Sequence, residues 1–414
     1  MKAARGMVWL AAVGILLAPD SHAQQWVQSS APQNPWSAIA MSADGTRIVA
    51  AAAPYLSYTS TGGIYTSSNS GATWFRTYAP KTNHWASVAC SADATRIIAS
   101  APWGGAGSIY MSSDGGSSWQ SNSLPQAAMT QIAMSADGSK IFGGVGSQLY
   151  SSMDSGATWS TYGSAGRGAT ASLASSADGR RLVWMFTGAQ LGLPILCIST
   201  NGGAGWRTNS QSLFAPTYVT LSADGCRIEA RAGSACYVSK DCGATWQQGG
   251  GLIGAGFGVG TGPLSVSADG SRALAYGAKL IGVTSVNSIF TWTDSGQAWV
   301  SNTVDNEAWT CVAMSADGNV MAVASDGMTT PTLGYIWVRQ ALPQPSLSPR
   351  IGPTNLTLSW IVASTNLIVQ QRGDLRAGSW ADMTNTPILN TSNLHNEVSL
   401  PVGRANAFYR LKAK

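Results

Sequence analysis

Two short turn motifs alternate along this chain, and their interleaving constrains the fold more than any other feature. The first reads Ser-Ala-Asp and opens at Ser42, Ser91, Ser135, Ser176, Ser222, Ser267 and Ser315, at intervals of 41 to 49 residues. All but the Ser91 copy continue as Asp-Gly, a strong hairpin signal because glycine takes positive φ without steric cost. The second reads Ser-x-Asp-x-Gly-x-x-Trp and occurs as Ser112–Trp119, Ser152–Trp159 and Ser239–Trp246, and as Ser199–Trp206 with Asn201 at the aspartate position. Ser67–Trp74 carries Asn69 at the aspartate position, and Trp292–Trp299 lacks the leading serine. Asp114, Asp154, Asp241 and Asp294 are placed to accept bonds from turn amides, and each tryptophan to cover its turn. One period with two such turns holds four short strands.

The second motif resembles the Asp-box (BNR) repeat of sialidase-like β-propellers, a group that includes photosystem II assembly-factor-like and sortilin-like propellers. The resemblance implies an all-β propeller with the Asp boxes as scaffold, and the seven Ser-Ala-Asp turns, one to each four-stranded blade, make it seven-bladed. In the first blade the strands are expected at Ser37–Met41, Arg47–Ala52, Gly63–Ser67 and Thr73–Tyr78. The last blade has strands around Cys311–Met314, Val320–Ala324 and Gly334–Arg339 but lacks a fourth. Trp26 stands 16 residues before Ser42, the spacing that separates other motif tryptophans from the next Ser-Ala-Asp. The N-terminal segment Gln25–Gln28 is therefore expected to supply the missing strand and close the ring.

The start of the chain has a basic opening (Lys2, Arg5), an apolar run from Met7 to Ala18 and Ser21-His22-Ala23. That pattern predicts a secretory signal peptide over residues 1–23 and an exported, soluble protein without a membrane span. The propeller is expected over 24–342, a proline-rich linker over 343–350, and a C-terminal β-module over 351–414. The module, a small β-sandwich, looks like one often appended to secreted bacterial proteins. Lysines and arginines equal acids within the propeller, which argues against nucleic acid as a partner. Beyond Leu342 seven Lys/Arg face three acids, a surplus fitting a solvated surface. The chain is expected to be a monomer.

Cys226, Cys236 and Cys242 fall in one blade. A Cys226–Cys242 disulfide and three unpaired thiols fit the sequence equally well. Cys90, Cys197 and Cys311 read as small core residues. The spacing of Cys and His suggests no metal, and no motif requires a cofactor.

Both repeat turns lie on one face of the ring, so ligands are expected on the opposite, loop face, where sequence varies between blades. There Trp36, Trp85 and Trp309 each stand six residues before a Ser-Ala-Asp serine, in three adjacent blades. They read either as an indole platform for sugar rings or an extended chain, or as wedges between blades. His84, Lys81, Trp103, Tyr55 and Tyr58 are expected nearby. After the repeat aspartates are set aside, Asp305, Glu307 and Asp326 are the loop-face acids available to a glycosidase, which needs two carboxylates. The Phe-Arg-Ile-Pro motif of sialidases is absent, and the mature chain has two histidines, too few for triad or histidine-metal chemistry. The reading is a non-catalytic binding protein for a glycan or an extracellular protein. The alternative is a carbohydrate-active hydrolase, sialidase-like or another glycosidase.

Overall fold

The structure is a computed structural model that describes residues 25–53, 62–81, 83–102, 108–122, 129–163, 169–187, 194–209, 216–232, 235–248, 262–281, 284–293, 296–302, 304, 307–327, 334–340, 347–362, 367–374, 379–401 and 407–413. The expected signal peptide lies outside these residues. Among them, no helix is long and apolar enough to cross a membrane.

Each Ser-Ala-Asp turn builds itself from its own side chains. In the first, Ser42 Oγ donates to Asp44 Oδ1 at 2.6 Å, and the same oxygen accepts from Thr46 N at 2.9 Å. Arg47 N donates to Ser42 Oγ at 2.9 Å, so the serine locks the hairpin on both sides. Gly45 sits at φ +73°, and a Cβ there would lie 2.6 Å from Val320 of the neighbouring sheet. Both the backbone and the close approach therefore demand glycine. In the Ser91 copy Ala94 holds this conformation at φ +50°.

The turns also bond to one another. Ala43 N donates to Ala92 O, Ala92 to Ala136, Ala136 to Ala177, and so on through Ala223 and Ala268 to Ala316, whose N–H returns to Ala43 O. Each backbone group exposed at the inner end of a sheet thus finds a partner in the next sheet. The result is a closed ring of seven four-stranded antiparallel sheets.

In the first blade the strands run Trp36–Met41, Ile48–Ala52, Gly63–Ser67 and Phe75–Arg76. Ile48–Ala52 is buried at every position, as expected of a strand covered on both faces. The outermost strand is two residues long, shorter than the span expected from sequence. The preceding turn takes the first two residues of that span, because Thr73 N donates to Asn69 Oδ1 at 2.8 Å and Trp74 Nε1 to Gly71 O at 3.1 Å.

The ring closes through the N-terminus, as the spacing predicts. Val27–Gln28 pairs antiparallel with Val338 and Trp337 of the strand Ile336–Gln340. Ser29 N adds a bond to Ile336 O at 2.9 Å.

The second motif folds alike in its described copies. Ser112 Oγ donates to Asp114 Oδ1 at 2.8 Å, Ser118 N donates to that oxygen at 2.8 Å, and Gly116 N donates to Ser112 Oγ at 2.8 Å. Trp119 Nε1 then folds back onto Gly116 O at 3.1 Å, as the tryptophans of three other copies, Trp74, Trp159 and Trp206, do on their own glycines. Asp154, Asp241, Asn69 and Asn201 occupy the same role. The sixth copy departs from this plan: Gly296 enters a seven-residue strand and pairs with Thr293, while Asp294 lies outside the described residues.

Cys226 and Cys242 form a disulfide between the two turns of the fifth blade. The backbone bond from Cys242 N to Cys226 O at 2.8 Å matches Ser70 N to Thr46 O in the first blade. The disulfide therefore reinforces a contact the repeat already makes. Cys236 remains a buried free thiol, as do Cys197 and Cys311.

The C-terminal module has one four-stranded and one three-stranded sheet packed over Leu356, Leu358, Trp360, Val369, Val398, Leu400 and Leu411. It does not stand apart from the ring, because Ile361, Val362 and Leu394 pack against the alanines of the Ser-Ala-Asp turns.

Candidate functional site

Of the two readings of Trp36, Trp85 and Trp309, stacking platform or wedges between blades, the structure has the second: all three are core residues. Trp36 and Trp85 are 0 % exposed and Trp309 is 5 % exposed. Trp36 packs edge-on against Tyr65 at 5.3 Å and lies beside Trp74, amid residues of the first and last blades. Trp85 meets Tyr110 in the same edge-on way, and Trp309 packs with Leu274 and Ile289 of the preceding blade. The physical reason is geometric: blades diverge away from the axis, and a large ring at the mouth of the inner strand fills the widening gap. An indole enclosed in this way offers no face to a ligand.

Lys81 is exposed and His84 half-buried, both before the second blade. Trp103, Tyr55, Tyr58 and Asp305 lie outside the described residues. Glu307 and Asp326 are brought to neighbouring ends of two strands, Trp309–Met314 and Val320–Ser325. Asp326 N donates to Ala308 O at 3.1 Å. Ser325 Oγ donates to Glu307 Oε2 at 3.0 Å while accepting from Tyr335 N at 3.0 Å. Both carboxylates are half-buried, and the two acids stand at adjoining strand ends of this blade.

A second polar group lies in the blades that precede them, one that the sequence reading passed over. Arg231 is 1 % exposed in the fifth blade and pairs across the ladder with Tyr218. Its Nη1 donates to Tyr276 O at 2.6 Å in the sixth blade. Tyr276 OH donates to Thr310 O at 3.2 Å in the last blade. Thr310 Oγ1 continues to Trp36 O at 2.7 Å in the first. A hydrogen-bonded chain therefore links four consecutive blades beneath the loop face. The signal was present in the repeat register: the positions equivalent to Arg231 hold Ala51, Ser100, Gly144, Met185, Tyr276 and Ala324. An arginine where most blades keep a small residue marks a position under a different constraint.

The electrostatics describe a dry interior. Burial pushes the Cys311 thiol up to about 12 and the Tyr218 hydroxyl up to about 12. Tyr276 is raised as well, by burial first and then by the negative charge of neighbours that include Asp326. Burial lowers Arg231 from its usual range. A thiol held neutral in this way is no nucleophile at neutral pH, so Cys311 is a packing residue. Among the described residues no group of three or more His, Cys, Asp or Glu is gathered as metal ligands would be.

No family model matches this sequence, and no curated protein matches it. Among solved structures it resembles one described as "YCF48 bound to D1 peptide", with a TM-score of 0.53 at 14 % identity, over 77 % of this chain and 95 % of that one. This chain folds as a β-propeller. At that level of identity the likeness speaks to the fold alone, and the propeller's chemistry has to be argued from its own loop face.

Proposed function

We propose that the chain is a non-catalytic binding propeller that takes an extended segment of a protein partner on its loop face. The likeness to a propeller bound to a peptide is the observation that carries this reading. Enclosure of Trp36, Trp85 and Trp309 supports a peptide over a glycan, since these three indoles are spent on packing rather than offered to sugar rings. Glu307, Asp326, Lys81 and His84 are the loop-face groups assigned to contact the ligand, through charge and hydrogen bonds to an extended backbone. The Ser-x-Asp-x-Gly-x-x-Trp turns support placement in the Asp-box group. The basic-then-apolar start and the Cys226–Cys242 disulfide support export to an oxidising compartment.

Glycoside hydrolysis is the second reading, favoured by the adjacency of Glu307 and Asp326. One experiment addresses both. The full chain is screened against a peptide array, a glycan array and a panel of polysaccharides with reducing-sugar release as the readout. The binding reading expects peptide capture that weakens in Asp326→Asn and Glu307→Gln, with no sugar released. Sugar release that disappears in Asp326→Asn would establish the hydrolase and overturn the binding reading.

A further inference from the structure

On the turn face the alanines of the Ser-Ala-Asp turns bond to one another in a circle, and a later part of the chain packs onto them. The alanines of the seven Ser-Ala-Asp turns form a collar of methyl groups there; Ala43, Ala177, Ala223, Ala268 and Ala316 are each 7 or 8 % exposed. Ile361, Val362 and Leu394 of the C-terminal module pack onto this collar. A cavity of about 180 Å³ at the collar is lined by Met41, Cys90, Leu221, Val266 and Met314, with Leu394 forming part of its wall.

Leu394 is held in an unusual state. It sits at φ +58°, where a leucine is strained and a glycine or asparagine would be at ease. The turn that imposes this is well bonded: Leu394 N donates to Asn390 O at 2.9 Å, and Val362 N donates to Leu394 O at 3.0 Å. The side chain is not part of the module's own core of Leu356, Leu358, Trp360 and their neighbours. Its apolar contact is with the collar. A strained backbone that aims one leucine at a socket built by all seven blades is explained by what the leucine does in that socket.

We propose that the C-terminal module is a stopper for the propeller, with Leu394 as its tip and Ile361 and Val362 as its shoulder. It covers the alanine circle on the turn face and ties together blades that otherwise meet only their neighbours. The inference is independent of what the loop face binds.

The test is hydrogen exchange on the full chain and on Leu394→Gly. Glycine accepts φ +58° without strain, so the turn and the module keep their fold while the apolar tip is removed. Exchange at the collar amides, Ala43 through Ala316, is expected to rise about tenfold or more in all seven turns together, the opening expected from losing the apolar contact of one half-buried leucine. Exchange in the module strands Asn355–Ile361 and His395–Pro401 is expected to stay unchanged. Leu394→Met should restore collar protection, and Ile388→Ser, which trims an exposed module residue, should leave it intact. Collar exchange that is unchanged in Leu394→Gly, or that rises in only one or two blades, overturns the proposal.

Discussion

Ala316 donates its backbone N–H to the carbonyl of Ala43 at 2.7 Å, joining the last Ser-Ala-Asp turn to the first. With the six equivalent bonds between the other turns, it makes the inner end of every blade part of one hydrogen-bonded circle. The outer end closes differently, through a single short strand from the N-terminus. The two closures respond to different perturbations, and the first prediction exploits that.

A chain trimmed to begin at Pro32 loses Val27–Gln28 and with them the outermost strand of the last blade. The alanine circle survives, but Ile336–Gln340 becomes an open edge, and the largely buried Val338 loses its cover. The expected outcome is a lower melting temperature and soluble aggregates on size exclusion. A trimmed chain that melts as before and elutes as a single monomeric peak would show that the strand contributes nothing to closure.

Acid should loosen the outer turns in a defined window. Hydrogen bonds from Ser118 and Ser112 hold Asp114 down at about 2, from the usual 3.8. Thr158 and Ser152 do the same for Asp154, to about 2, and Thr245 and Ser239 for Asp241, to about 2. A carboxyl group depressed on folding stabilises the native state above its unfolded value and loses that contribution as pH falls through its folded value. The melting temperature should therefore decline as pH drops from about 4 toward 2. Asp154→Asn should keep most of the neutral-pH stability, because Asn69 and Asn201 fill the same role natively. Its acid decline should be shallower than wild type. Asp154→Ala, which loses the acceptor, should melt lower at neutral pH. A decline of the same steepness in Asp154→Asn and wild type would remove this turn from the acid response.

The disulfide gives a third check. Cys226 and Cys242 are 16 residues apart, a loop for which cross-linking contributes roughly 3 kcal/mol in the chain-entropy account. Reduction should lower the melting temperature of the wild-type chain and leave that of a Cys226→Ser, Cys242→Ser chain unmoved. Equal melting of reduced and oxidised wild type would mean that the backbone bond between the two turns already supplies the constraint.

What was legible in the sequence divides along a physical line. Turns made by adjacent residues, such as Ser42 with Asp44 and Gly45, write their chemistry into a few consecutive positions, so the blade repeat and its closure by Trp26–Gln28 could be read directly. Contacts between blades are not written that way. Whether the indole of Trp36 faces a neighbouring blade or the channel depends on how two sheets diverge, and its sequence position fits both. Arg231 was readable in principle, since its register holds small residues in most other blades, but only after strands had been aligned by their partners. The seating of Leu394 on the alanine collar had no local signal at all: the leucine and its socket lie far apart in the chain, and its left-handed backbone is visible only in the fold.

The tryptophans supply the last prediction, and it separates packing from recognition. Trp36 and Trp85 are fully enclosed and Trp309 nearly so, each filling a gap between blades. Truncation to alanine at such a position removes the buried ring and leaves a cavity, at a cost of about 3–5 kcal/mol. Trp36→Ala, Trp85→Ala and Trp309→Ala should each lower the melting temperature, and the folded fraction should bind a captured peptide as wild type does. The corresponding phenylalanine variants should lose less, because they keep most of the ring and the indole N–H of each has no hydrogen-bond partner among the described residues. Lys81→Ala and Asp326→Asn should show the reverse pattern, with near-native melting and weakened binding. If instead the alanine variants at Trp36 or Trp85 melted normally and lost the ligand, those indoles would have to swing out of the blade interface to meet it, and the loop face would be an aromatic platform after all.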